Sequence, residues 1–216
     1  MADKKKTGLI AGFSLLAIIL IGEALCFLFV DFDSVYKIIE NEDQTTTVLV
    51  GKEQRNWIRE TAEDIHSTVL YDTGLWPGVR KLFLPAAPDP TKSLDEFGRD
   101  NFFPYVEGRL KVVNLALYLA TYRIASLITW MPVLSVFFIP LLVDAHYTRK
   151  KKQYNFKYAS PTVQRIGIRT VAFMVATILP LLLVSPLPIP PHAAPVMVLL
   201  VAFAIWAMVR NLPKRI

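Results

Sequence analysis

Two ionisable residues stand inside apolar stretches of the sequence: Glu23, within residues 8–30, and Arg123, within residues 112–143. A charge in hydrocarbon is costly, so each must pair, carry protons or ions, or face another protein. Glu23 lies about seven residues, roughly 10 Å at helical rise, from the end of its run. Arg123 lies at comparable depth in the second run, and antiparallel neighbours would bring the two together. The expectation is a structural Glu23–Arg123 pair that fixes the packing of two helices. A proton or ion relay would need a further line of acids, which the apolar runs do not offer. His66, His146 and His192 are too scattered for metal-ligand spacing. No nucleotide loop, nucleophile elbow or zincin motif occurs, and Ser34 and Ser160 have no triad context. The residues therefore predict no catalytic centre, no metal and no cofactor. The single cysteine, Cys26, forms no intramolecular disulfide and reads as a small apolar packing residue.

The second concentration of chemistry is positive charge. Asp144 is followed by Arg149, Lys150, Lys151, Lys152, Lys157, Arg165 and Arg169, with no acid anywhere in 145–169. Such a block beside an apolar run marks the cytoplasmic side of a membrane and attracts anionic lipid, at ~1 kcal/mol per cation. A docking surface for a cytoplasmic protein ranks second. Direct nucleic-acid binding ranks third: Tyr154, Phe156 and Tyr158 interleave with Lys157 as stacking platforms would, but equally as an interfacial aromatic belt. Asp144 is read as a solvated boundary residue, or as the partner of Arg149 or Arg165.

The elements that must position these residues follow from composition. Of 216 residues 53% are hydrophobic and 19% charged, against ~25% charged in a soluble domain. The apolar residues come in blocks long enough to cross ~30 Å of hydrocarbon. The expected fold is an all-α membrane protein with four transmembrane helices and both termini cytoplasmic. Its parts are a cytoplasmic N-terminus and first span at 1–30, a small helical periplasmic domain at 31–111, and a long second span at 112–148. A basic loop at 149–169, third and fourth spans with a proline-rich turn at 170–209, and a basic tail at 210–216 complete it. Residues 8–30 are too long for a signal-peptide core and lack a cleavage site, so they are read as an uncleaved span. The clusters at 4–6, 149–169 and 210–215 all fall on one side in this arrangement. The expected location is the bacterial inner membrane.

Residues 31–111 hold fifteen acids and ten bases, so they belong outside the membrane. Asp31 to Ser34 can cap a helix bearing Val35, Ile38 and Ile39, which Gln44 to Thr47 should break. Residues 52–71 place Trp57, Ile58, Thr61, Ile65, Thr68 and Val69 at helical spacing. Gly74 should stop that helix and Pro77 follows; a proline-rich loop runs from Leu84 to Pro90, with a capping box at Ser93 and Glu96. From Tyr105 the chain can run as one helix through 148, with Pro132 and Pro140 as kink sites. The third helix should start near Pro161 and bend at Pro180; Ser185 to Pro191 cannot be helical.

The junction Pro140-Leu141-Leu142-Val143-Asp144-Ala145-His146-Tyr147-Thr148-Arg149, continuing to Tyr158-Ala159-Ser160-Pro161-Thr162-Val163-Gln164-Arg165, resembles the integrating conjugative element membrane proteins. Members share a proline-containing span end, an Asp-Gly pair, an Arg and a Ser-Pro stretch leading into another span; Ala145 stands here where the pattern has Gly. The resemblance implies an inner-membrane accessory of a conjugative type IV secretion system, a partner of the coupling ATPase that feeds DNA to the channel. Two other readings are carried beside it. An entry-exclusion or regulatory protein would act through residues 31–111, and a small transporter or channel would need a polar path through the spans.

Overall fold

The computed structural model describes residues 29–84, 102–155 and 160–212. Glu23, Cys26 and the expected first span lie outside them apart from its last two residues. The Ser93–Glu96 capping box, Lys157 and the C-terminal Lys214 and Arg215 also lie outside. The described residues are all-α: α1 Phe32–Val50, α2 Lys52–Ser67, α3 Leu75–Phe83, α4 Phe103–Tyr154, α5 Pro161–Val184 and α6 Ala193–Arg210. They fall into two compact units. One runs to Ala125 and includes Leu183–Ile189; the other holds Ser126–Leu182 and the chain from Pro190.

In the first unit α1 runs alongside the first half of α4. Val35 packs with Val112, Ala116 and Leu119, and further along α1 Glu42 meets Arg123. Helix α2 runs the other way: Ile58 and Ala62 cluster with Tyr122 and Ala125, while His66 stacks edge-on against Tyr118. Val35, Ile58 and Leu119 are fully buried, each worth roughly 1.5–3 kcal/mol in transfer from water. The compact unit takes in α4 as far as Ala125.

The expected break at Gln44–Thr47 does not occur, and α1 continues to Val50. Thr45 and Thr47 turn their hydroxyls back onto the carbonyls of Asn41 and Asp43, both at 2.7 Å, so they decorate the helix instead of competing with it. Asp31 takes the N-cap position of α1, but its side chain makes no capping hydrogen bond. Gly51 makes the turn into α2 with φ at +88°, and a left-handed Gly74 (φ +72°) ends the π-helical extension Thr68–Asp72. After Gly74 comes α3, with Pro77 in its first turn, where a missing N–H costs no hydrogen bond; the expected proline-rich loop at 84–90 lies, beyond Leu84, outside the described residues.

The second unit holds the apolar half of α4 with α5 and α6. Pro132 and Pro140 sit inside one uninterrupted helix. Helix α5 starts at Pro161, with the Ser160 hydroxyl accepting from the Val163 N–H at 3.4 Å. A π turn at Met174–Ile178 stands just before Pro180, whose ring cannot fit an ordinary turn. Gly167 of α5 is where α6 comes closest. A Cβ there would lie 3.0 Å from the Ala204 carbonyl and 3.1 Å from Met208 Cβ. Helices α4 and α5 are long and apolar enough to cross a membrane; only 11% and 6% of their most apolar stretches are buried. A core helix of a soluble protein would be mostly covered. Helix α6 is a shorter apolar helix.

Candidate functional site

The described residues assemble one deeply buried polar centre, and Arg123 is its hub. Arg123 and Glu42 side chains are 8% and 6% exposed. The guanidinium meets the carboxylate as a fork: Nε donates to Oε2 at 3.1 Å and Nη2 to Oε1 at 2.6 Å. Its other donors reach the backbone between α5 and α6. Nη1 donates to the Ser185 carbonyl at 2.8 Å and the Leu183 carbonyl at 3.3 Å, and Nη2 to the Leu187 carbonyl at 2.7 Å. Each of the five N–H donors of an arginine thus has an acceptor. Glu42 completes the ring, since its Oε1 accepts the Ile189 N–H at 2.9 Å.

The local sequence explains why those carbonyls are available. Pro186, Pro188, Pro190 and Pro191 remove the amides that would continue α5. A residue before proline is held extended, and alternate carbonyls of an extended segment point the same way. Ser185 and Leu187 each precede a proline, and Leu183 lies in the last turn of α5, whose carbonyls lack helical partners. Beside the hub, Asp43 forms a fork with Arg55, including two 2.9 Å bonds from Nε, and accepts from the Tyr122 hydroxyl at 3.4 Å. Asp43, Arg55 and Tyr122 also line a cavity of about 490 Å³ between α1, α2 and α4.

Arg123 therefore has Glu42 as an acidic partner, while Glu23 lies outside the described residues. Nothing in the sequence singled out Glu42 among the fifteen acids of residues 31–111. Asp144 does not pair with Arg149 or Arg165 among the described residues. It accepts the indole N–H of Trp206 at 2.8 Å, a partner 62 residues away on α6. Arg149, Lys150, Lys151 and Lys152 lie in the last turns of α4, and Arg165 and Arg169 are exposed on α5. Of these, Lys152 reaches α6, where its Nζ donates to Asn211 Oδ1 at 3.0 Å. His66 is half-buried between Tyr71 and Tyr118, and burial lowers its pKa against an opposing contribution from Asn114. No group of three or more potential metal ligands occurs among the described residues.

A helical unit closed around a saturated arginine stands in one chain with two helices long and apolar enough to cross a membrane, and the class is all-α. The chain belongs to the DtrJ-like family, described as IncC plasmid conjugative DNA transfer protein DtrJ-like, which matches residues 34–212. Those residues include Glu42, Arg123 and the whole proline-rich turn. The process agrees with the resemblance drawn from the Asp144 junction; the family is the DtrJ-like one. No curated protein and no solved structure matches the chain.

Proposed function

We propose that this protein is a non-enzymatic inner-membrane component of a conjugative DNA-transfer machine, and that it joins the coupling ATPase to the membrane part of that machine. It crosses the membrane four times, through residues 8–30, the second half of α4, α5 and α6, with both termini in the cytoplasm. From Arg123 to Asp144 α4 advances about 31 Å at helical rise, close to the thickness of a hydrocarbon core. The observation that carries the reading is the Arg123 hub. It fastens an outward helix, α1, to the turn between two apolar helices, and leaves no donor of the arginine over for transport. A saturated fork of this kind sets geometry, which suits a scaffold better than a channel.

Affinity purification of the full-length protein from conjugation-competent membranes tests the reading. The coupling ATPase should be recovered with it, and Arg123→Met should reduce that recovery. Isolation as a lone monomer in mild detergent would count against a scaffold. Cysteine labelling from each side of the membrane, at Lys150→Cys and Thr73→Cys, checks the orientation: only the second should react from outside.

A further inference from the structure

At the far end of α4 and α6 the side chains form a second arrangement, independent of the hub. The Arg210 guanidinium carbon lies 4.9 Å from the centroid of the Trp206 ring. That ring is fixed in turn, because its Nε1–H donates to Asp144 Oδ2 at 2.8 Å. Lys152 arrives from α4, with Nζ donating to the Arg210 carbonyl at 3.4 Å and to Asn211 Oδ1 at 3.0 Å. Arg149 stands one turn earlier on the same face of α4, and its Nε is buried without a hydrogen-bond partner. Among the described residues no carboxylate forms an ion pair with Arg149, Lys152 or Arg210. Lys152 thus meets the end of α6 that carries Arg210, and neither cation has an ion-paired carboxylate among the described residues, an arrangement suited to an anion.

We propose that Lys152 and Arg210, flanked by Arg149, bind the phosphate of an anionic phospholipid headgroup. This rests on the reading of α4 and α6 as membrane-crossing helices. Over the Trp206 ring the guanidinium keeps N–H donors, whose fork matches two phosphate oxygens at once. Lys152 keeps one N–H beyond the two it gives to α6. Phe203 and Leu200 are exposed on α6 about two and three turns before Arg210, where acyl chains would lie below a headgroup. Tryptophan at that depth is the usual companion of the headgroup layer. A soluble anion would gain nothing from these apolar neighbours, and a lipid gains from both.

The test compares association of spin-labelled phosphatidylglycerol and spin-labelled phosphatidylcholine with the full-length protein reconstituted in phosphatidylcholine bilayers. Arg210→Gln and Lys152→Gln should each weaken the preference for phosphatidylglycerol about fivefold, the effect of ~1 kcal/mol per cation. Arg210→Lys should fall between wild type and Arg210→Gln, because charge remains and the fork is lost. Lys150→Gln, which removes an equal charge from the same helix end but not from the site, should weaken the preference clearly less than Arg210→Gln or Lys152→Gln. An equal loss in Lys150→Gln would overturn the site in favour of diffuse attraction. Relief of the preference by millimolar inorganic phosphate would overturn a lipid as the ligand. A bilayer-embedded protein with no preference would overturn the site alone, whereas recovery of the chain in the soluble fraction of cells would overturn the membrane reading itself.

Discussion

Arg123 and Glu42 lie 81 residues apart and meet as a two-point fork, both side chains more than nine-tenths buried. Attraction between the charges alone does not account for such a pair, because desolvating both ions offsets most of it. What makes it tenable is saturation: three backbone carbonyls and one backbone N–H complete the donors and acceptors that the ions leave over. The pair is therefore a device for joining three segments in one geometry.

Removing one member should be worse than removing both. Arg123→Met alone leaves Glu42 buried and uncompensated, an expected loss of about 3–5 kcal/mol. Glu42→Gln combined with Arg123→Met should cost less than the sum of the single changes. Arg123→Lys should not rescue, since an ammonium cannot span the carboxylate and three carbonyls. Thermal unfolding in detergent, followed by circular dichroism in a double-mutant cycle, measures all three.

Gly167 sets the distance between α5 and α6. Gly167→Val should destabilise by about 1–3 kcal/mol, because the added atoms meet the Ala204 backbone and not a flexible side-chain tip. Gly167→Ala should cost less, and Ile168→Leu, at an exposed neighbour, should be silent. The same unfolding assay reads the series.

Asp144 holds the Trp206 ring in place. In a variant whose other tryptophans are replaced by phenylalanine, Asp144→Ala should shift Trp206 emission and increase its quenching by iodide. Asp144→Asn keeps an oxygen acceptor and should stay close to wild type. Identical spectra for Asp144→Ala and wild type would show that the contact does not fix the ring.

His66 makes the packing of α2 against α4 sensitive to mild acid. Its pKa in the folded chain is lowered, chiefly by burial, from an ordinary value of 6.5. Between the lowered value and 6.5 the unfolded chain binds more protons, so stability rises with pH. His66 imposes no penalty well above 6.5 and an increasing one as pH falls through 6.5 towards the folded value. Wild type should thus lose more stability than His66→Gln between pH 7.5 and pH 5.5. Equal losses in the two proteins would show that His66 does not carry the effect.

Much of this architecture is local and could be read from the chain. The apolar run through α4, the Ser160-Pro161 start of α5 and the proline-rich stop after Val184 follow from side-chain type and spacing, because amide availability and hydrophobic periodicity act within a few residues. Where one short-range preference overrode another, the sequence misled. Thr45 and Thr47 satisfied their hydroxyls on the preceding turn and let α1 continue.

The partner choices were decided only in three dimensions. Arg123 announced itself as a charge in an apolar run, yet the sequence held fifteen acids in residues 31–111 and gave no reason to prefer Glu42. Asp144 stood beside a row of cations and was claimed by an indole on another helix. In both cases the energy depends on distance, angle and exclusion of water. These are properties of the packed chain: a composition can demand that a buried charge be met, but the fold selects the group that meets it.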